Sequence, residues 1–432
     1  MNAIVPLLDL AALPGRDIPA QTMGIARLSL LDWIMCGRAG VAEPVSGILR
    51  AMAAAEGGAP QSSVFGAARA PARMAALVNG ATSHALDYDD THFAHVGHLS
   101  VGIYPAALAV GETAGASAAD ICAAFVIGGE AAIRIGLLLG RAHYERGFHQ
   151  TATAGAFGAT IAAGRLLGLD RCQMRTAIGL CATRATGLRC HFGTMGKPYN
   201  AGVAAAVGVE CAQLALAGMT ASGDGLLGPN GYVATHTDAP GDELAMPSGA
   251  WLLDDMKYKL HACCHGTHAM IEALKATGAA LTNVTQIHLR TNPRWLTVSD
   301  IKTPRTGLEV KFSYSWLAGM ALRGDTTGND RTFIDALAAD PQLAEFAARV
   351  TVTGDAGLTD MQAAGDITTK DGGILPFAHD LAAPIPLNTL ERLLRSKAET
   401  LLGPTGSALC DDLATLESMG ANALGALLGP DL

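Results

Sequence analysis

Charge is scarce in this 432-residue chain: Asp, Glu, Lys and Arg together make up 16 %, whereas apolar residues make up half. That is the reverse of the composition of disordered chains, so a core-rich fold is expected. No run of Lys or Arg occurs, and 30 basic against 39 acidic side chains leave a net charge of -9. Without a basic stripe for phosphates, nucleic acid is not an expected partner. An uninterrupted apolar stretch of about 20 residues, the length of a membrane span, is also missing, although mean hydropathy is +0.27. The most apolar segment, Ile121 to Leu139, contains Glu130 and Arg134 and reads as a helix buried on most sides. Neither a membrane partner nor, with Pro6 and Asp9 inside the apolar N-terminus and no basic residues ahead of them, a signal peptide is expected. The nine cysteines are odd in number and scattered, which fits reduced thiols in a cytoplasm better than a disulfide framework. Aromatics reach only 5 %, and the abundance of Ala and Gly points to closely packed helices. There is no internal repeat and no low-complexity linker, and at about 150 residues per domain the length allows two or three domains.

From about Thr22 to Ala279 the apolar spacing is helical almost throughout, with examples at Ile25–Met35, Ala119–Leu139, Thr151–Leu167, Arg175–Thr186 and Ala201–Leu216. No strand is expected there. Beyond Leu281 the texture changes. Val284–Thr291 and Ala348–Thr353 are β-branched and alternating, and DITTK and ILPF flank Asp371-Gly372-Gly373 as a hairpin. Helical stretches near Phe312–Leu322 and Thr332–Ala347 lie between these strands, so a small α+β domain is expected. Leu387–Leu402 is helical again and can return to the first domain.

Seven of the 13 histidines fall in two windows. In HALDYDDTHFAHVGH, which holds His84, His92, His95 and His98, Asp87 and Thr91 would share one face of a helix. Acids, a hydroxyl and imidazoles could then line one cleft. A solvated helix end with capping aspartates and surface histidines, or a metal site, are the alternatives. In KYKLHACCHGTHAMIEAL, His261, His265 and His268 stand at i, i+4 and i+7, beside Cys263 and Cys264. Metal binding, buried polar packing and a cationic substrate site around Lys257 or Lys259 all remain open. GTMGKPYNAG places Lys197 before Pro198 at a helix start, which suits a carboxylate pocket or an ordinary surface lysine. Gly223–Gly228 matches GxGxxG but follows a helix, where a dinucleotide site needs a strand, and is set aside.

Taken together, VNGATSHALDYDDTH (78–92), GFHQTATAGAFGAT (147–160), GTMGKPYNAG (193–202), KLHACCHGTHAMIEAL (259–274) and VKFSYSWLAGMAL (310–322) resemble the MmgE/PrpD family, which includes 2-methylcitrate dehydratase, cis-aconitate decarboxylase and iminodisuccinate epimerase. The resemblance runs from about Leu28 to the C-terminal helix. It implies a mainly α protein: a large all-helical domain from residues 1–256 and 387–432, a smaller α+β lid domain from 257–386, and a homodimer. Carried over by motif, the site residues are Asp87, Thr91, His98, His149, Lys197 and Lys259. Lys197, Lys259 and His149 are expected to bind substrate, with no cofactor and no metal. His92 and His95 compete with His98, Lys257 competes with Lys259, and Gln150 and Ala262 stand where many members have Pro. The implied activity is a metal-independent lyase, a dehydratase or decarboxylase, acting on a small di- or tricarboxylate through a carbanion-like centre next to a carboxylate. An epimerase or racemase of an amino- or imino-dicarboxylate is the alternative, and a non-catalytic helical binding protein is the alternative of another class.

Overall fold

Small side chains set the architecture of the first unit, Met1–Tyr258 with Leu390–Leu432, in the computed structural model, which describes residues 4–241, 244 and 250–429. Its long helices include Ala20–Gly40, Ala72–Ser83, Ser100–Ala114, Ala118–Glu145, Thr153–Leu166, Arg171–Arg184 and Gly196–Leu216. Between Ala72–Ser83 and Gly196–Leu216 the backbones nearly touch. A methyl on Gly80 would lie 2.8 Å from Gly202 Cα, and one on Gly202 would lie 2.3 Å from the Leu77 carbonyl oxygen. An alanine-rich cluster that includes Ala76, Ala106, Ala159 and Ala205 continues this packing. Low aromatic content is thus compensated by close approach of axes, which preserves dispersion contacts.

The Ala118–Glu145 helix begins with a Ser117/Asp120 capping box. By length and composition it could cross a membrane, yet 94 % of its most apolar window is buried inside the protein. Glu130 pairs with Arg134 and accepts the N–H groups of Leu252 and Leu253 at 3.2 and 2.9 Å. The charges that interrupt the apolar run therefore serve internal contacts.

The expectation of no strand before Ala279 is incorrect. β1 (Ser62–Val64) and β2 (Ala67–Ala70) form a short antiparallel pair. Asn79 holds its turn, donating to the Ser63 carbonyl at 2.8 Å and accepting the Phe65 N–H at 2.9 Å. Strands of three and four residues are too short to show an alternating pattern.

The second unit, Lys259–Thr389, carries a four-stranded sheet of order β4-β3-β5-β6. β3 (Val284–Thr291) runs parallel to β4 (Val350–Gly354) and antiparallel to β5 (Gln362–Thr369), which pairs antiparallel with β6 (Ile374–Asp380). The β5–β6 turn contains Gly372 at φ 84, a conformation that favours glycine. Helices His268–Ala276, Tyr314–Arg323 and Pro341–Ala347 accompany the sheet. The single helix expected over Thr332–Ala347 is broken into Asp335–Ala338 and Pro341–Ala347. Pro341 cannot continue a helix, and Asp340 caps the new one by accepting the N–H groups of Gln342 and Leu343. The chain then re-enters the first unit within the Leu387–Leu402 helix.

Candidate active site

The first histidine window does not continue as a helix. Ala72–Ser83 stops at Ser83, and Asp87 adopts φ 50. Aspartate tolerates the left-handed region because its side chain can bond locally. Asp90 accepts the N–H groups of Leu99 and Ser100 at 3.4 and 3.2 Å and also the Ser100 hydroxyl, capping the next helix. Asp87 and Thr91 therefore do not share a helical face, and the segment between them is a loop. The histidines are not on the surface either: His84, His92, His95 and His98 are all buried.

Within this loop a chain of ionisable groups assembles. Lys197 Nζ lies 2.6 Å from Asp87 Oδ1, and His98 Nε2 lies 3.5 Å from the same oxygen. His98 Nδ1 donates to the Asp90 carbonyl at 2.7 Å and has Asp89 Oδ2 2.8 Å away. The other Asp89 oxygen accepts from His84 Nδ1 at 2.8 Å. The His84 ring lies 4.6 Å from that of His98 and 6.3 Å from that of His149. His149 meets the Phe192 ring edge to face at 5.0 Å, and Lys197 Nζ lies 5.4 Å from the same ring. Asp87, His98, His149 and Lys197 thus come together in the first unit. Lys197 sits in the first turn of Gly196–Leu216, and its side chain is only 14 % exposed, unlike an ordinary surface lysine. Thr91 lies nearby in the chain. Its N–H and carbonyl pair with the Lys257 backbone at 2.8 and 2.9 Å, and its hydroxyl is buried with no hydrogen-bond partner among the described residues.

Protonation follows from burial and neighbours. Burial works against the Asp89 charge, but the two imidazoles outweigh it and hold the carboxyl well below its usual range. Burial lowers His84 to about 4. His84 is therefore neutral with its proton on Nδ1, and its bare Nε2 is buried without a partner among the described residues. His149 is pushed well down by burial and by Lys197, and is neutral too. Asn200 Nδ2 donates to the Leu188 carbonyl at 3.2 Å, which fixes the amide orientation, so its contact of 3.3 Å to His149 Nδ1 is also a donation. The His149 proton then resides on Nε2. Burial and the Asp32 charge raise Asp90 to about 7.

The rivals His92 and Lys257 have other partners. His92 Nε2 contacts the Leu252 carbonyl at 2.9 Å while its Nδ1 accepts the His95 N–H. Lys257 Nζ pairs with Asp255 at 2.9 Å. Lys259 is 4 % exposed and opens the second unit. There, His261, His265 and His268 are not on one helix: a short 3-10 turn covers His265–Thr267 and the helix begins at His268. His261 bonds Thr327 and Glu272 at 2.8 and 2.7 Å, and His268 faces the Cys263 carbonyl at 3.3 Å. Buried polar contacts account for His261 and His268. Asp89 joins this group from the loop and Asn200 from the Gly196–Leu216 helix, and the sequence singles out neither as a site residue.

His84, Asp87, Asp89 and His98 offer ligand atoms within 4.8 Å of one another, a spacing that suits a metal ion. Their contacts with each other and with Lys197 already account for that proximity. A cavity of about 450 Å³ lined by Leu8, Arg165 and Met174, among others, includes none of these residues.

The first unit thus joins lysine, carboxylate and imidazoles in one chain of contacts, and a small α+β unit follows it in the chain. The chain belongs to the MmgE/PrpD family: residues 10–245 match the MmgE/PrpD N-terminal domain and residues 261–405 its C-terminal domain. The cis-aconitate decarboxylase of Aspergillus terreus is 29 % identical over 302 residues, covering 63 % of this chain and 61 % of that protein. The cis-aconitate decarboxylase-like protein oryM of Aspergillus oryzae is 30 % identical over 286 residues, 60 % of this chain and 58 % of that protein. The Homo sapiens cis-aconitate decarboxylase is 30 % identical over 213 residues, 48 % of this chain and 44 % of that protein. The matched region spans less than two thirds of the length of each of these relatives.

Proposed function

We propose that this protein is a metal-independent lyase that removes CO2 from a small di- or tricarboxylate through a carbanion-like centre next to a remaining carboxylate. The observation that carries the reading is the contact series Lys197–Asp87–His98, with a side chain 41 % exposed at Asp87 and nearly buried groups behind it. The names of the relatives favour decarboxylation over loss of water.

In this reading an incoming carboxylate takes the Lys197 ammonium, and the half-exposed Asp87 is the group that yields. When the bond from carbon to the departing carboxylate breaks, its electron pair stays on carbon and spreads into the adjacent carboxylate. A fixed ammonium facing that carboxylate stabilises charge as it develops, with little reorganisation. His98, with a carboxylate near each ring nitrogen, hands a proton from Nε2 to the carbon, and solvent restores it. His149 orients the substrate through its Nε2–H. Thr91 contributes its hydroxyl, which has no hydrogen-bond partner among the described residues. Lys259 is assigned a second carboxylate on its motif alone.

NMR of the protein with cis-aconitate and a panel of related acids in deuterated water tests the reading. Release of CO2 with one deuterium incorporated at the carbon that carried the departing carboxylate is expected. Water loss would make it a dehydratase, solvent exchange without net product an epimerase, and silence across the panel would overturn the catalytic reading.

A further inference from the structure

Lys397 lies far from the motifs, on the Leu387–Leu402 helix, yet it is buried beneath the candidate site. Its ammonium donates to Asp32 Oδ1 at 2.6 Å and to the Tyr88 carbonyl at 2.6 Å, and it stands 4.0 Å from the centre of the Tyr88 ring. Tyr88 is the residue between Asp87 and Asp89. The groups facing Lys397 are Asp32 and Cys36 from the Ala20–Gly40 helix, and Tyr88 and Asp89 from the loop. Burial opposes the ammonium, but the anions around it outweigh burial and hold Lys397 charged. Asp32 in turn receives the backbone N–H of Asp90. One cation therefore ties a helix to the peptide at the centre of the site loop, at a point where neighbouring Asp87 already occupies a left-handed conformation.

We infer that Lys397 is a positioning residue: through the Tyr88 carbonyl it fixes the loop that presents Asp87, Asp89 and Thr91, without touching substrate. A buried ion pair alone can be replaced by a neutral pair at little cost in stability. The Tyr88 bond cannot, and this difference gives the test. The inference rests on the functional reading above, so one arm of the test needs no substrate.

The experiment compares wild type with Asp32→Asn/Lys397→Met, in which Asn keeps an acceptor for the Asp90 N–H and no charge is left unpaired. The double variant should melt close to wild type, while its Tyr88, Asp89 and Asp90 amides exchange at least about tenfold faster with deuterated water. On any acid the wild type turns over, kcat should fall at least about tenfold with KM changed less than about threefold. Should the double variant not fold, Lys397→Met in stabilising sulfate provides the same readouts. Wild-type exchange in residues 88–90 overturns the inference whatever the activity, and so does faster exchange with wild-type kcat. If the wild type turns over nothing, the functional reading fails and the exchange result still decides the role of Lys397.

Discussion

Asp89 shows how far a single residue can organise its surroundings. Both of its oxygens face imidazole nitrogens at 2.8 Å, and that contact fixes the His84 tautomer. The acid response of stability follows from such groups. His84, lowered from 6.5 to about 4, and His95, lowered to about 3, bind protons more weakly folded than unfolded. Their contribution is present above about pH 6.5 and is lost as pH falls through the folded values, with His84 alone worth about 3 kcal/mol. Asp90, raised to about 7, has the opposite sign: its contribution is present at low pH and lost as pH rises through 7. Two histidines outweigh one aspartate, so the melting temperature should drop between pH 6.5 and 4. A flat calorimetric profile over that interval contradicts the buried neutral imidazoles. At the same scale, Lys259→Ala should cost on the order of 30- to 1000-fold in rate, the range for losing a contact that tightens in the transition state. Lys257→Ala should keep most activity, since its ammonium is occupied by Asp255. Steady-state assays of the two variants check the ranking, and the reverse order would exchange their roles.

Among the elements, helices paired through glycine connect fold to site. Ala72–Ser83 delivers the chain to His84, and Gly196–Leu216 carries Lys197 and Asn200. Gly202→Ala would drive a methyl into the Leu77 carbonyl, and overpacking of this kind costs about 1 to 3 kcal/mol. Denaturant unfolding should show that loss, and activity should fall as well, because Lys197 moves relative to Asp87. Wild-type activity in a destabilised Gly202→Ala protein would uncouple the helix pair from the site. Long periodic segments were legible in the sequence: Val284–Thr291 and Leu387–Leu402 begin and end where the pattern does. Legibility failed where local polar bonding overrides periodicity. Asp87 to Thr91 has helical spacing but is a loop, because Asp90 spends its carboxylate on the next helix. The motifs pointed to Lys197, His98 and His149, whereas Asn200 emerged only from three-dimensional contacts, since its partner His149 lies 51 residues away in the chain.

For the molecule as a whole, the proposed chemistry draws its positive charge from lysines, so purified protein should contain no stoichiometric metal and should keep its activity after chelation. The four ligand-capable residues of the site make this a demanding prediction. Near-stoichiometric zinc or iron in elemental analysis, with activity lost on chelation and restored by that ion, would replace the lysine-based mechanism.

Lys397 also fixes an order of events during synthesis. The helices that hold Asp32 and the Tyr88 loop leave the ribosome early, but the 131 residues of Lys259–Thr389 must be made before their cation follows. At about 5 to 20 residues per second, the 309 residues from Tyr88 to Lys397 take roughly 15 to 62 s. Throughout this time the nascent helical unit holds a buried-to-be carboxylate without its counter-ion and a loop carbonyl without its donor. The site is therefore assembled after the second unit has been translated, and the helical layer waits for the Leu387–Leu402 helix in an incomplete state.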